Sequence, residues 1–280
     1  MSAVSADDMA LATAAVTALR DELAAYPKPG LVSLVDSGSH ADMDFALMCK
    51  SADSLLQPFA SLATAGRQAR SFETTLMPIG IEAERGMLAA TGGVNTHRGA
   101  ILSMGLIVAA IARTHATPGG SSPEAIQGTL RRQWGDALAA HAARDGESAS
   151  HGALVQQRTG QVGARREAAL AFPGVFQAGI PAYRHARRTG LDANATSVHA
   201  LFALMAVVDD TTVLYRGGLD AGSFVREAAA AFLAEGGCHQ AGWFGKAERL
   251  HRSFVERNLS AGGCADLLAC TLLVARCCGE

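Results

Sequence analysis

The sequence predicts an all-α protein, and three observations carry that expectation. Apolar residues make up 49% of the chain but aromatic residues only 5%, so the interior must be built from Ala, Leu, Val and Met, which favour packed helices over sheets. Apolar positions recur at helical spacing almost throughout, and no segment alternates with a sustained period of two. No repeat of fixed period is visible, and a chain of 280 residues can bury one large core. We therefore expect residues 1–280 to form a single-domain multi-helix bundle with its active site in loops and helix ends.

Asp7–Ala25 begins with two acids, as helix starts favour, and ends at Tyr26-Pro27-Lys28-Pro29-Gly30, where two prolines forbid continuation. An extended loop is expected to about Ser39. From Asp42 to about Arg70, Phe45, Met48, Cys49, Ala52, Leu55, Leu56 and Phe59 keep helical spacing, and Pro58 is expected to kink or split the element. Further helical patterns cover Leu76–Ala90, Arg98–Thr114, Pro123–Ala143, Arg165–Ala171, Val175–Arg188, Ala195–Val208, Gly222–Glu235, Gln240–Asn258 and Ala265–Cys277. Gly99–Ala112 is the longest mainly apolar run. It falls short of the ~20 residues a membrane span needs and reads as a buried central helix. The TPGGSSP composition within His115–Pro123 reads as a surface loop.

Charge and cysteine usage exclude several classes. The 24 basic residues against 26 acidic ones leave no general attraction to nucleic acid or an acidic membrane, so any anion site must be local. Cys49, Cys238, Cys264, Cys270, Cys277 and Cys278 form no CxxC pair and have no His at zinc spacing, which points to buried thiols in a reducing compartment. Early acids without a preceding basic stretch make the N-terminus unlike a secretory signal, and a cytoplasmic location is expected. A homodimer stays open.

Ile79 to Ala100, IGIEAERGMLAATGGVNTHRGA, sets two carboxylates, a glycine turn and a cationic pair between apolar helical runs. Two readings stand at this point. Gly92 and Gly93 either end one helix while Asn95 or Thr96 caps the next, or they let an anion approach the backbone with His97 and Arg98 at the mouth. Within this segment Glu82, Glu84 and Arg85 cluster, and polar residues also gather at Lys28, Ser33 and Asp36; His40, Asp42 and Asp44; Arg165 and Glu167; Asp209, Asp210 and Arg216; and Arg257, Asn258, Ser260 and Asp266. At Asp209-Asp210 the apolar run ALFALMAVV meets two adjacent carboxylates. At a helix C-terminus they oppose the dipole, a penalty that a bound Mg²⁺ or a salt bridge to Arg216 would relieve. Gly217-Gly218-Leu219 reads as a flexible turn.

Five segments carry a resemblance: PKPGLVSLVDSGSHADMDF, IGIEAERGMLAATGGVNTHRGAILSMGL, ARREAALAFPGV, LMAVVDDTTVLYRGG and ERNLSAGGCADLLACTLL. In order and spacing they resemble the triphosphoribosyl-dephospho-CoA synthase family from Pro27 to about Leu273, and the short length and ARREAAL wording look closest to the malonate decarboxylase branch. Departures from the family pattern are Ala261 and Cys264, where proline and serine are frequent, and Arg98, where lysine is frequent. The resemblance implies a reaction of ATP with 3′-dephospho-CoA that releases adenine. Its product is a prosthetic-group precursor, passed to the enzyme that attaches it to an acyl-carrier subunit.

That chemistry assigns expected roles. A carboxylate must take the proton of the attacking 2′-hydroxyl, with Glu82 the first candidate and Asp44 the second, and a donor such as His97 or Asn95 must reach the departing adenine. The triphosphate is expected to meet Mg²⁺ on Asp209 and Asp210, with Glu82 as a further ligand, and the cations Lys28, Arg98, Arg216 and Arg257. The backbone at Gly92 and Gly93, together with Asn95, Thr96, Asn258 and Ser260, completes the expected nucleotide contacts. A Mg²⁺-dependent N-ribosyl hydrolase and a non-catalytic nucleotide-delivery protein are the alternatives.

Overall fold

In the computed structural model, residues 3–117, 121–144 and 163–280 are described. All regular structure among them is helical. Helix α1 (Ala6–Ala24) is capped by Ser5, whose side chain accepts from Asp8 N. Asp8 itself is buried and receives Arg67 at 2.8 Å, fastening α1 to α3. The expected Asp42–Arg70 element is two helices, α2 (Phe45–Ser54) and α3 (Leu56–Arg67), and the break falls at Leu55 rather than at Pro58. Pro58 lies in the first turn of α3, where an N–H would have no intrahelical partner, so it neither kinks nor splits the helix.

A π-helical turn, Phe72–Leu76, leads into α4 (Met77–Ala90), which is followed by α5 (Arg98–His115). Helix α5 is the buried axis the sequence predicts: the side chains from Met104 to Ala112 are all buried. It packs on α3, on α6 (Pro123–Ala143) and on the C-terminal helix α12 (Gly262–Cys278), while α1 closes over α3 and α12. The small residues explain the closeness. A Cβ on Gly66 would stand 2.2 Å from the Ala109 carbonyl oxygen, so α3 and α5 touch backbone to backbone there. The loop expected around His115–Pro123 lies partly outside the described residues.

The second half departs more from expectation. Helix α7 (Gly163–Ala169) is followed by a π-helical stretch, Gly174–Gly179, and α8 (Ile180–Arg188). Helix α9 (Ala193–Met205) stops before Val208, and α10 (Thr211–Ala234) begins at Thr211 instead of Gly222. The Gly217-Gly218 turn is a kink inside α10, with Gly218 at φ 69°. Helix α11 (Trp243–Glu256) precedes α12. All six cysteines are free. Among the described residues no helix is long and apolar enough to cross a membrane.

This packing brings three helix N-termini together. A Cβ on Gly262, the first residue of α12, would lie 3.2 Å from Thr212 Oγ1 at the head of α10, and one on Gly99, at the head of α5, would lie 2.1 Å from Asp266 Oδ2 on α12. Three positive dipole ends therefore share one region of the interior.

Candidate active site

Where these helix heads meet, a cavity of about 1150 Å³ opens. Its wall takes residues from all five sequence motifs: His40 and Asp42, Glu84 and Asn95 to Ser103, Arg165 and Glu167, Asp209 to Thr212 with Arg216, and Asn258, Ser260 and Asp266. Of the expected site residues, the fold gathers Asn95, Thr96, His97, Arg98, Asp209, Asp210, Arg216, Asn258 and Ser260 on this wall.

Arg216 organises one side. Its Nη1 donates to the Ser39 carbonyl at 2.8 Å and to Asn258 Oδ1 at 2.9 Å, and its Nη2 donates to His40 Nδ1 at 3.2 Å. A guanidinium can only donate, so His40 Nδ1 is the acceptor and Nε2–H donates to Ser260 Oγ at 2.9 Å. Burial and the Arg216 charge lower the His40 pKa, in keeping with this neutral tautomer. His40 was one of a cluster in sequence. Its partners lie so far along the chain that only the fold could single it out.

On the opposite side, His97 is buried and its Nδ1 lies 2.7 Å from Ser51 Oγ. Burial and the nearby Lys28 charge lower its pKa to about 4. At neutral pH it is an uncharged imidazole, able to hydrogen-bond a base but not to deliver a proton as imidazolium. Both His97 Nε2 and Arg98 Nε are buried without a hydrogen-bond partner. Buried polar atoms left unpaired are costly, and at a cavity wall they mark where a polar ligand belongs. Arg98 also forms an ion pair with Glu84.

Several expected residues are placed elsewhere. Glu82 is outside the cavity, 73% exposed and paired with Arg85 at 3.1 Å, while Glu84 on the same helix lines the wall. Asp44 is exposed and caps α2, accepting from Leu47 N at 2.8 Å. Lys28 is completely buried and lies behind the cavity wall rather than on it. Its ammonium donates to the Glu22 carboxylate and, at 2.7 Å, to the Glu22 carbonyl. Gly92 and Gly93 are exposed and end α4 with positive φ, and the Gly93 N–H is already taken by the Leu88 carbonyl at 2.8 Å. They form the turn of the first reading and are not on the cavity wall. Arg257 is exposed and lies over the Phe224 ring at 4.4 Å.

The two adjacent aspartates need a larger correction. Asp210 does not end α9. It caps α10, accepting from Thr212 N at 2.8 Å and Val213 N at 3.3 Å through Oδ1, and its Oδ2 accepts from Cys264 N on α12 at 2.8 Å. It therefore sits at positive dipole ends, and the penalty that called for a metal is absent. Asp209 diverges and binds Arg226 at 2.6 Å. Among the described residues no group of three or more His, Cys, Asp or Glu converges to hold a metal ion. The pair is thus no preformed chelate.

Asp266 carried no role of its own in the sequence. It faces the cavity from the first turns of α12, and among the described residues its carboxyl has neither hydrogen-bond nor ion-pair partner. Burial, reinforced by the Glu22 and Asp210 carboxylates, pushes its pKa well above the usual carboxylate range.

The site is a partly open cavity under three helix N-termini, its wall largely apolar but set with arginines and acids, an arrangement suited to an anionic ligand that also carries apolar parts. Residues 8–279 match the ATP:dephospho-CoA triphosphoribosyl transferase family, and the chain belongs to it; the protein is a transferase. A relative from Azotobacter vinelandii, named as a probable 2-(5''-triphosphoribosyl)-3'-dephosphocoenzyme-A synthase, is 41% identical over 94% of this chain and 89% of its own length. One of the same name from Acinetobacter calcoaceticus is 37% identical over 97% of this chain and 92% of its own. No solved structure matches the chain.

Proposed function

We propose that this enzyme transfers the triphosphoribosyl group of ATP to the ribose 2′-hydroxyl of 3′-dephospho-CoA, releasing adenine. The observation that carries this reading is the cavity itself. It draws on all five motifs, and at about 1150 Å³ it exceeds the ~300–1,000 Å³ of ordinary small-molecule pockets, as two nucleotides require.

The heads of α5, α10 and α12 supply positive potential for the triphosphate, with Arg98 and Arg216 as side-chain cations. Asn95, Thr96, Asn258 and Ser260 give neutral polar contacts, and His97 gives a neutral hydrogen-bonding edge. Glu84 takes the role expected of Glu82, accepting the 2′-hydroxyl proton, since it is the acid of α4 that faces the cavity. Carboxylates on the wall also favour the oxocarbenium-like ribosyl transition state. Magnesium fits as a counter-ion of the triphosphate with Asp209 as its protein ligand, because such a cation shared with phosphates needs only one or two carboxylates. When bound it screens the phosphate charge.

The product is read as the prosthetic-group precursor of an acyl-carrier subunit, handed to the enzyme that attaches it. The wording ARREAAL at Ala164–Leu170 favours malonate decarboxylase over citrate lyase as the destination. The test is incubation with ATP and Mg²⁺, with and without dephospho-CoA. We expect adenine only when dephospho-CoA is present. Adenine in its absence would favour an N-ribosyl hydrolase, and ATP binding with no adenine in either case would favour a delivery protein.

A further inference from the structure

Breaking the bond between ribose C1′ and adenine N9 leaves an electron pair on a poor leaving group, so an acid must reach the ring nitrogens. His97 and Asn95 were the expected donors; Asn95 has no acidic proton to give, and burial beside Lys28 keeps His97 unprotonated at neutral pH. Four other acids of the cavity wall already have partners. Asp210 is filled with three backbone N–H donors, Glu84 pairs with Arg98, Asp209 with Arg226, and Glu167 accepts from Gly174 N at 3.0 Å.

Asp266 differs from all of these. It is held on a rigid helix, it presses on the first turn of α5 at Gly99 without accepting a bond there, and it opens on the cavity. The charges that face it are the Glu22 carboxylate from α1 and the Asp210 carboxylate at the head of α10. The nearby cations are taken: Lys28 by Glu22 and Arg98 by Glu84. Two facing acids, with no hydrogen-bond or ion-pair partner on Asp266 to answer them, favour the protonated carboxyl over the charge that the head of α5 would otherwise attract. It is then a donor, which is the chemistry the departing base needs.

We infer that Asp266 is the catalytic acid that protonates adenine as the glycosidic bond breaks. This rests on the transferase reading proposed above. In the step, the C1′–N9 electron pair goes to the purine, and the Asp266 proton moves to a purine ring nitrogen, so adenine departs neutral. C1′ bonds to the 2′-oxygen of dephospho-CoA, whose proton passes to Glu84. Asp266 is left as a carboxylate beside the electron-poor ribosyl carbon, and solvent exchange restores both groups after the products leave.

The test compares wild type, Asp266→Asn and Asp266→Glu with ATP and dephospho-CoA, following adenine release and ATP affinity. Removing an acid of this kind costs on the order of 100-fold or more in kcat. We expect that loss in Asp266→Asn with ATP affinity kept within about threefold, and partial activity in Asp266→Glu. The wild-type rate should fall as alkaline pH deprotonates Asp266, and that limb should be missing from the residual activity of Asp266→Asn. With 8-aza-ATP, whose base leaves more readily as an anion, the Asn deficit should shrink. An Asp266→Asn enzyme with kcat within about threefold of wild type, or a deficit equal for both nucleotides, would overturn the assignment. Wild-type enzyme that releases no adenine would overturn the transferase reading instead, and the two failures are distinguishable.

Discussion

Asp210 and Asp266 line the same cavity, yet their surroundings differ. Asp210 receives three backbone N–H groups from the first turns of α10 and α12, whereas Asp266 has no partner of any kind among the described residues. Burial raises both carboxyls. For Asp210 the backbone donors pull the pKa back down, and for Asp266 the neighbouring acids push it further up. The first arrangement binds two helices together and stabilises the fold. The second leaves an uncompensated polar group, which folding alone does not favour. Glu22, a third acid of the cavity wall, is intermediate, because it is buried but answered by Lys28.

Four perturbations sharpen that contrast. The largest effect should come from Lys28→Met, which leaves Glu22 buried and unpaired. We expect a loss of about 3–5 kcal/mol in denaturant-unfolding free energy. Glu84→Gln should next lower the rate of adenine release about 100-fold, equivalent to roughly 2.7 kcal/mol in barrier height. Its neighbour Glu82→Gln, on the solvent side, should stay within about twofold of wild type in the same assay. Asp210→Ala should destabilise by about 2 kcal/mol, through loss of the α10 cap and the tie to α12, and its melting temperature should fall accordingly.

The last prediction is a sign: Asp266→Asn should be more stable than wild type at pH 7. The sign follows from linkage. A carboxyl with a raised folded-state pKa costs no stability below the unfolded value near pH 4, and its cost grows as pH rises from there toward the folded value. The advantage of Asp266→Asn over wild type should therefore vanish in acid and widen upward in pH. Unfolding curves at several pH values check it, and a destabilised variant at pH 7 would equate Asp266 with Asp210.

Much of the scaffold was legible in the chain. Gly99–Ala112 is apolar on every side, and only a central helix can bury such a segment, as α5 does. The motif clusters were visible for a similar reason, since polar groups between apolar helices have few places to go except a shared end. What sequence could not fix was direction. Glu82 and Glu84 point roughly 200° apart around a helix that advances about 100° per residue, so one of them faces outward, and only the packing of α4 decides which. Asp210 looked like the end of the preceding helix because the apolar run continues to Val208, but α9 stops at Met205 and the Asp-Thr-Thr step starts a new helix. Lys28 sits in a loop with no periodicity to orient it, and its burial against Glu22 appears only once α1 is in place.

The transferase reading itself is tested most directly by quenching a reaction of wild-type enzyme with ATP, Mg²⁺ and dephospho-CoA and determining the mass of every nucleotide product against the adenine formed. We expect one coupled product per adenine, carrying the intact triphosphate on the transferred ribose. Adenine accompanied by free ribose triphosphate and unchanged dephospho-CoA would contradict it.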